Sequence, residues 1–233
     1  MKAMIFAAGV GSRLKELTRA TPKCLMEVGG KTMLERVVDR LKGVGVTAVA
    51  INTHHHAEQV TDFIKSRGYF GIEVIISHEP VLLDTGGGLR KVASFFAGEE
   101  PFLVHNADIY SDLDLARLVE VHRSKNAVGT LAVMKRPSKR GLYVDSQHHL
   151  IGWTQEEKPA PEEAALYSFC GISVASHEVF SHMPREGAFS IISSYLFAAR
   201  ATNRVYGELV TGVDWTDIGT PEQLEALRGR INL

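Results

Sequence analysis

The apolar positions of the first half follow two periods in turn. Residues 3–8 are apolar throughout, which predicts a strand buried on both faces rather than one with a wet side. Met33, Leu34, Val37, Val38, Leu41 and Val44 recur at intervals of three and four. They predict a helix over residues 33–44, with Thr32 placed to cap it. Further strands are expected at 46–51, 72–76 and 102–105, and helices at 57–66, 87–96 and 113–123. Strands alternating with amphipathic helices predict an α/β chain, a doubly wound, mixed but mostly parallel sheet covered on both faces.

From about residue 127 the rhythm changes. Strands are expected at 129–135, 141–144 and 168–175, a helix at 191–200, short strands at 205–209 and 213–216, and a closing helix at 221–228. No stretch rich in Pro, Gly or Ser separates the halves, and no internal repeat is present. The expectation is one domain over 1–233, with residues 126–233 extending the sheet of residues 1–125 and covering it.

Composition narrows the partners. At 45% hydrophobic and 23% charged residues the 233-residue chain has an ordinary globular make-up. A net charge of -1 gives no bulk attraction to nucleic acid or to an anionic membrane. No apolar run approaches the roughly 20 residues needed to span a bilayer, and the first eight residues are too short for a signal segment. Cys24 and Cys170 have no metal-type spacing, so a reducing cytoplasm is the expected location.

The candidate chemistry starts where the first strand ends, in "MIFAAGVGSRLKELTRATPKCL", residues 4–25. A loop at the carboxyl end of a strand in a doubly wound sheet lies where ligands bind. Gly9 and Gly11 would let backbone N–H groups approach phosphate oxygens, while Arg13 and Lys23 supply cations. A dinucleotide fingerprint would need a third glycine where Leu14 stands. A Walker-type loop would need Gly-Lys-Ser/Thr, which is absent after this strand. A plain strand-to-helix turn is the bland alternative.

The whole stretch is more specific than its glycines. Ala7-Ala8-Gly9-x-Gly11-x-Arg13-Leu14, then Leu17-Thr18 and Thr21-Pro22-Lys23, resembles the signature loop of the sugar-1-phosphate nucleotidyltransferases. These enzymes join a nucleoside triphosphate to a sugar 1-phosphate and release pyrophosphate. The resemblance implies their Rossmann-like nucleotide-diphospho-sugar transferase fold, with residues 1–125 as the nucleotide-binding half and 126–233 as the sugar-binding half. It implies that the triphosphate is held by Ala7, Ala8, Gly9, Gly11, Ser12, Arg13 and Lys23, with Arg13 meeting the leaving pyrophosphate and Lys23 bridging the α-phosphate region. It also implies a divalent cation, Mg2+ with Mn2+ as a substitute, held by hard carboxylate oxygens. Asp108 in "VHNADIY" and Asp217 in "VDWTDIGTPEQL" match the two metal carboxylates, although Ala107 stands where the family commonly has glycine. Near Asp217, Thr220 and Pro221 also read as a helix cap and first helical residue.

Weaker likenesses complete the set. In "EPVLLDTGGGLRK" the resemblance brings Gly86 and Gly87 close to nucleoside and sugar, with residues 79–84 flanking the base. A tight turn is the alternative. Glu157-Lys158-Pro159 is similar to the family's sugar-phosphate element, and Gly141 sits where backbone approaches the sugar; a charged surface loop would explain the former equally. His54, His55 and His56 read as a solvated loop, since consecutive residues converge poorly on one ion, and Cys24 reads as packing.

Among relatives, the compact form without an appended left-handed β-helix looks most like the N-acetylmuramate 1-phosphate uridylyltransferases of peptidoglycan recycling. Compact mannose 1-phosphate guanylyltransferases look nearly as close. A cytidylyltransferase acting on phosphocholine is a further alternative within the fold. From other classes come a nucleotide-binding regulatory module and a dinucleotide-dependent oxidoreductase. The expected partners are a nucleoside triphosphate and a sugar 1-phosphate, with the chain a monomer or homodimer.

Overall fold

The structure, a computed structural model, describes residues 1–14, 17–98, 101–156 and 163–231. In chain order the elements begin with β1 (Lys2–Phe6), the short helix α1 (Leu17–Ala20), β2 (Glu27–Val28), β3 (Lys31–Thr32) and α2 (Met33–Gly43). β4 (Ala48–Thr53), α3 (Ala57–Ser66), β5 (Glu73–His78) and α4 (Asp84–Lys91) follow. Next come β6 (Phe102–Asn106), β7 (Ile109–Ser111), α5 (Leu115–Ser124), β8 (Gly129–Met134), β9 (Gly141–Val144) and β10 (Leu150–Trp153). The chain continues through β11 (Ala165–Ala175), α6 (Ile191–Thr202), β12 (Val205–Leu209), β13 (Trp215–Asp217) and α7 (Pro221–Ile231). None of the described helices is long and apolar enough to cross a membrane.

Two compact units divide the chain. The first comprises Met1–Leu82, His105–Leu113 and Asp214–Leu233; the second comprises Leu83–Val104 and Asp114–Val213.

In the first unit β1 pairs with β4, and β4 with β5, all parallel, in the registers Lys2↔Ala48 and Ala48↔Glu73. Every residue of β4 is buried, as a continuous apolar strand of a parallel sheet requires. Helix α2 forms where the 3–4 spacing predicts it. Thr32 caps it in a reciprocal capping box, its Oγ1 accepting from the Glu35 N–H at 3.2 Å while Glu35 Oε2 accepts from the Thr32 N–H at 2.9 Å. Its face of Met33, Leu34, Val37, Val38 and Leu41 is buried, and each such side chain contributes roughly 1.5–3 kcal/mol. A smaller cluster gathers Met26, Val28, Met33, Ile218, Leu224 and Leu227. Residues some 200 apart in sequence thereby hold α7 beside the β2–β3 hairpin.

The second unit is mixed. β11 pairs antiparallel with β8 and with β9, β9 pairs antiparallel with β10, and β12 pairs parallel with β8. Phe96, Phe102 and Phe180 stack, with centroids 4.2 Å apart for the first pair and 5.9 Å for Phe102 and Phe180.

The α/β class and the mixed sheet are as expected, and most elements lie within a few residues of their predicted bounds. The elements not expected have a common cause. The hairpin β2–β3, the four-residue α1 and the three-residue β7 are too short to show a period. The helix expected over 87–96 starts earlier, at Asp84, and ends at Lys91, followed by a 3-10 turn over Ala93–Phe96.

Candidate active site

Ala7, Ala8, Gly9, Gly11, Ser12 and Arg13 belong to the first unit, and so do Lys23, Asp108 and Asp217. β1 ends at Phe6; Ala7 and Ala8 remain buried, and the chain emerges at the exposed Gly9. A Cβ on Gly9 would have nothing within 4 Å. Gly11 is a different case. Its φ is +67°, and a Cβ there would lie 2.7 Å from Cγ2 of Thr18, so conformation and space both demand glycine. Its carbonyl accepts from the Leu14 N–H at 2.8 Å and from Thr18 Oγ1 at 3.2 Å. Leu14 is wholly buried and anchors the turn, leaving Ser12 and Arg13 exposed.

Lys23 is paired with a carboxylate, and Arg13 lies near another. Lys23, in the 3-10 turn after Pro22, makes a part-buried ion pair with Asp108. The Arg13 guanidinium lies against Gly219: a Cβ on that glycine would be 2.6 Å from Arg13 Nη2 and 2.9 Å from Asp217 Oδ1. Gly219 also donates its N–H to Asp217 Oδ1 at 3.2 Å. The glycine of the Trp-x-Asp-x-Gly-Thr string therefore leaves room for Arg13 beside Asp217.

Asp108 and Asp217 are separated by more than a hundred residues in sequence, and a two-stranded ribbon unites them. β13 pairs antiparallel with β7, Asp217 opposite Ile109, and the Ile218 N–H donates to the Asp108 carbonyl at 3.0 Å. Ala107, where glycine is commoner, is buried and donates its N–H to the Phe6 carbonyl at 3.0 Å. The alanine thus sits within a backbone contact that joins the ends of β1 and β6.

Residues 2–231 match the family described as nucleotidyl transferase. The chain belongs to that family. It is 30% identical to an N-acetylmuramate alpha-1-phosphate uridylyltransferase of Neisseria meningitidis serogroup B, over 98% of this chain and 99% of that one. A UTP–glucose-1-phosphate uridylyltransferase of Synechocystis is 29% identical over 98% of this chain, which spans 63% of that relative's length. A mannose-1-phosphate guanylyltransferase catalytic subunit beta of Drosophila pseudoobscura is 32% identical over 95% of this chain and 60% of its own length. Among solved structures, a Bacillus anthracis protein described as a candidate glucose-1-phosphate thymidylyltransferase, in complex with sucrose, has the same fold. Its TM-score is 0.84 at 24% identity, over 100% of this chain and 95% of that one.

The donor set suits a hard cation that a phosphate helps to bind. Asp108 and Asp217 offer two carboxylates, and among the described residues no group of three His, Cys, Asp or Glu could hold a metal by itself. Magnesium is commonly held in that way, by one or two carboxylates with phosphate and water completing the shell. Cys24, next to Lys23, is no nucleophile: burial, reinforced by the charge of Asp108, pushes its thiol up to about 12.

The histidine loop is tied down more firmly than a solvated reading implies. The His54 ring bonds the Glu79 carbonyl at 2.7 Å and the His56 ring bonds the Thr18 carbonyl at 3.2 Å, while His55 is exposed.

The second unit holds the remaining candidates. Gly86 and Gly87 donate their N–H groups to the Phe189 carbonyl at 2.8 and 3.3 Å. A Cβ on Gly86 would meet the Phe189 ring at 2.3 Å, and one on Gly87 the Gly187 carbonyl oxygen at 2.4 Å. Gly141 exchanges hydrogen bonds with Thr154, and a Cβ there would meet Leu166 at 2.5 Å. The close approach at each of these glycines is made by the protein's own chain. Glu157 and Lys158 lie outside the described residues.

Sequence reasoning missed two contributors in the first unit. Gly219 stood unremarked inside a quoted motif. Asn52 falls one residue past the strand expected at 46–51, and no motif includes it.

Proposed function

We propose that this chain transfers a nucleotidyl group from a nucleoside triphosphate to a sugar 1-phosphate, releasing pyrophosphate. The observation that carries the reading is the arrangement in the first unit. An exposed glycine loop stands beside Lys23, which is ion-paired with Asp108, and Arg13 lies near Asp217, while a ribbon joins the two carboxylates. Lys23 is held in its ion pair, so little ordering of that cation remains to be done when phosphates arrive. The loop backbone from Ala7 to Ser12 would hold the triphosphate, Lys23 would stabilise charge at the α-phosphate, and Arg13 would meet the departing pyrophosphate. Asp108 and Asp217 would hold Mg2+, or Mn2+ in its place, which supplies charge neutralisation between two anionic reactants.

The acceptor's phosphate oxygen would attack the α-phosphorus in line, forming the new P–O bond as the bond to pyrophosphate breaks. A phosphate monoester needs no strong base to do so. That agrees with a site whose only thiol, Cys24, is buried and held protonated.

For substrates we propose UTP with N-acetylmuramate 1-phosphate or a related hexose 1-phosphate, because the Neisseria relative is matched along nearly its whole length. A guanylyltransferase for mannose 1-phosphate is the second reading, favoured by the Drosophila relative at 32% identity. Residues 126–233 would supply the sugar side of the same domain, with Gly141, Glu157 and Lys158 as its contacts. The two cysteines are buried and are not joined in a disulfide, which suits a reducing cytoplasm.

The test is pyrophosphate release with magnesium, across UTP, GTP, CTP, dTTP and ATP, each against sugar 1-phosphates and phosphocholine. Release that requires one triphosphate and one sugar 1-phosphate is expected. Triphosphate binding without any metal-dependent product would favour a regulatory module instead.

A further inference from the structure

Asn52 is the one polar side chain in its stretch of β4 that reaches two other strands, and it is 2% exposed. Its Oδ1 accepts the Ala7 N–H at 2.8 Å, and its Nδ2 donates to Oε1 of Glu79 at 2.8 Å. Glu79 follows β5 and is wholly buried; its own N–H donates to the Thr53 carbonyl at 2.7 Å. A single carboxamide therefore ties together the ends of three parallel strands.

The position of this bridge gives its meaning. The last registered pair of β1 and β4 is Phe6↔Asn52. Ala7 is the next residue, past the ladder, and two residues later the chain emerges at Gly9. The Asn52 side chain supplies the hydrogen bond the ladder no longer makes, at the residue from which the glycine loop departs. A wholly apolar contact would hold three strands together without burying polar groups, each of which is costly if left unpaired. Because Glu79 accepts, the carboxamide is turned with its NH2 toward Glu79 and its oxygen toward Ala7.

We propose that Asn52 is a positioning residue that sets the start of the triphosphate loop, and that Glu79 orients it. The inference rests on the reading that this loop holds a triphosphate.

Two variants test it. In Asn52→Asp the new carboxyl can accept from Ala7, but its second oxygen faces Glu79, and two carboxyls close that contact only by sharing a proton. In the double variant Asn52→Asp/Glu79→Gln the donor and acceptor are exchanged, and both bonds can form again. Calorimetric titration with Mg–UTP and Mg–GTP, from pH 6 to 8, is read beside the Tm of each protein and the KM for the acceptor. Wild type is run alongside at each pH as the reference, because the His54 ring bonds the Glu79 carbonyl.

At pH 8 the single variant should bind triphosphate about 10- to 100-fold more weakly. It should recover toward wild type at pH 6, with the acceptor KM unchanged throughout, and the double variant should bind like wild type at pH 8. Unaltered binding by the single variant would overturn the proposal, as would a loss that follows Tm and weakens both substrates alike. If the single variant does not fold at pH 8, the folded double variant decides: a tenfold loss in it overturns the proposal. Failure of wild type to bind any triphosphate would instead overturn the loop reading, and this inference with it.

Discussion

Two glycine clusters, the loop after β1 in the first unit and the run in α4 of the second, use the residue differently. In the loop that follows β1, Gly9 faces open space and Gly11 is required by a left-handed turn. In α4 the run Gly86-Gly87-Gly88 is buried, and Gly187 and Phe189 occupy the space that side chains at Gly86 and Gly87 would take. Three glycines in a helix cost about 1 kcal/mol each relative to alanine, and in the second unit a close backbone approach offsets that cost. A glycine cluster announces that something comes close. Only the packed structure shows whether that neighbour is the chain itself.

The contrast can be broken by substitution, and the largest effect belongs to the cation beside the open loop. Lys23→Ala should lower kcat/KM about 10³-fold if the ammonium meets phosphate in the transition state, measured as pyrophosphate release at saturating magnesium. A rate within threefold of wild type would make Lys23 only the ion-pair partner of Asp108.

Acid should not distinguish the two regions, because each unit has an imidazole whose charged form burial disfavours. Burial lowers His105 in the first and His122 in the second from 6.5 to about 4. Between those values the unfolded chain binds more protons than the folded one, so stability falls as pH is lowered from 6.5 to 4. The loss approaches about 3 kcal/mol for each group. Thermal unfolding followed from pH 7 to 4.5 should show Tm falling across that window, and a flat profile would contradict the burial.

Gly87→Ala places a methyl 2.4 Å from the Gly187 carbonyl oxygen, against backbone that cannot rotate away. It should cost about 1–3 kcal/mol and lower Tm by roughly 2–4 °C per kcal/mol, with triphosphate affinity in the surviving folded protein little changed. Gly9→Ala is the converse and the smallest effect. The methyl enters open space, so Tm should hold within about 1 °C while triphosphate binding weakens about tenfold, as expected where backbone must approach phosphate. Equal behaviour of the two variants would erase the distinction between the regions.

Local pattern made much of the molecule legible. The unbroken apolar run of β1, the 3–4 spacing of α2 with its Thr32 cap, and the alternation through α5 each follow from a period that a dozen residues suffice to show. The glycine loop with Arg13 and Lys23, and the two carboxylates, were readable from residue type and motif. What escaped was short or non-local. β7 and β13 have three residues each and pair across a separation of about a hundred, and Asn52 is a single amide inside a strand.

The amino-acid sequence by itself determined the α/β class, the elements long enough to repeat, and the chemical inventory of a loop able to meet phosphates. The tertiary structure alone decided which of those groups become neighbours. It set Lys23 against Asp108, Arg13 beside Asp217, and Gly86 and Gly87 against their own chain while Gly9 stayed open. The reason is that periodicity reports which face of an element is buried, whereas proximity between distant residues depends on register and packing that no local window contains.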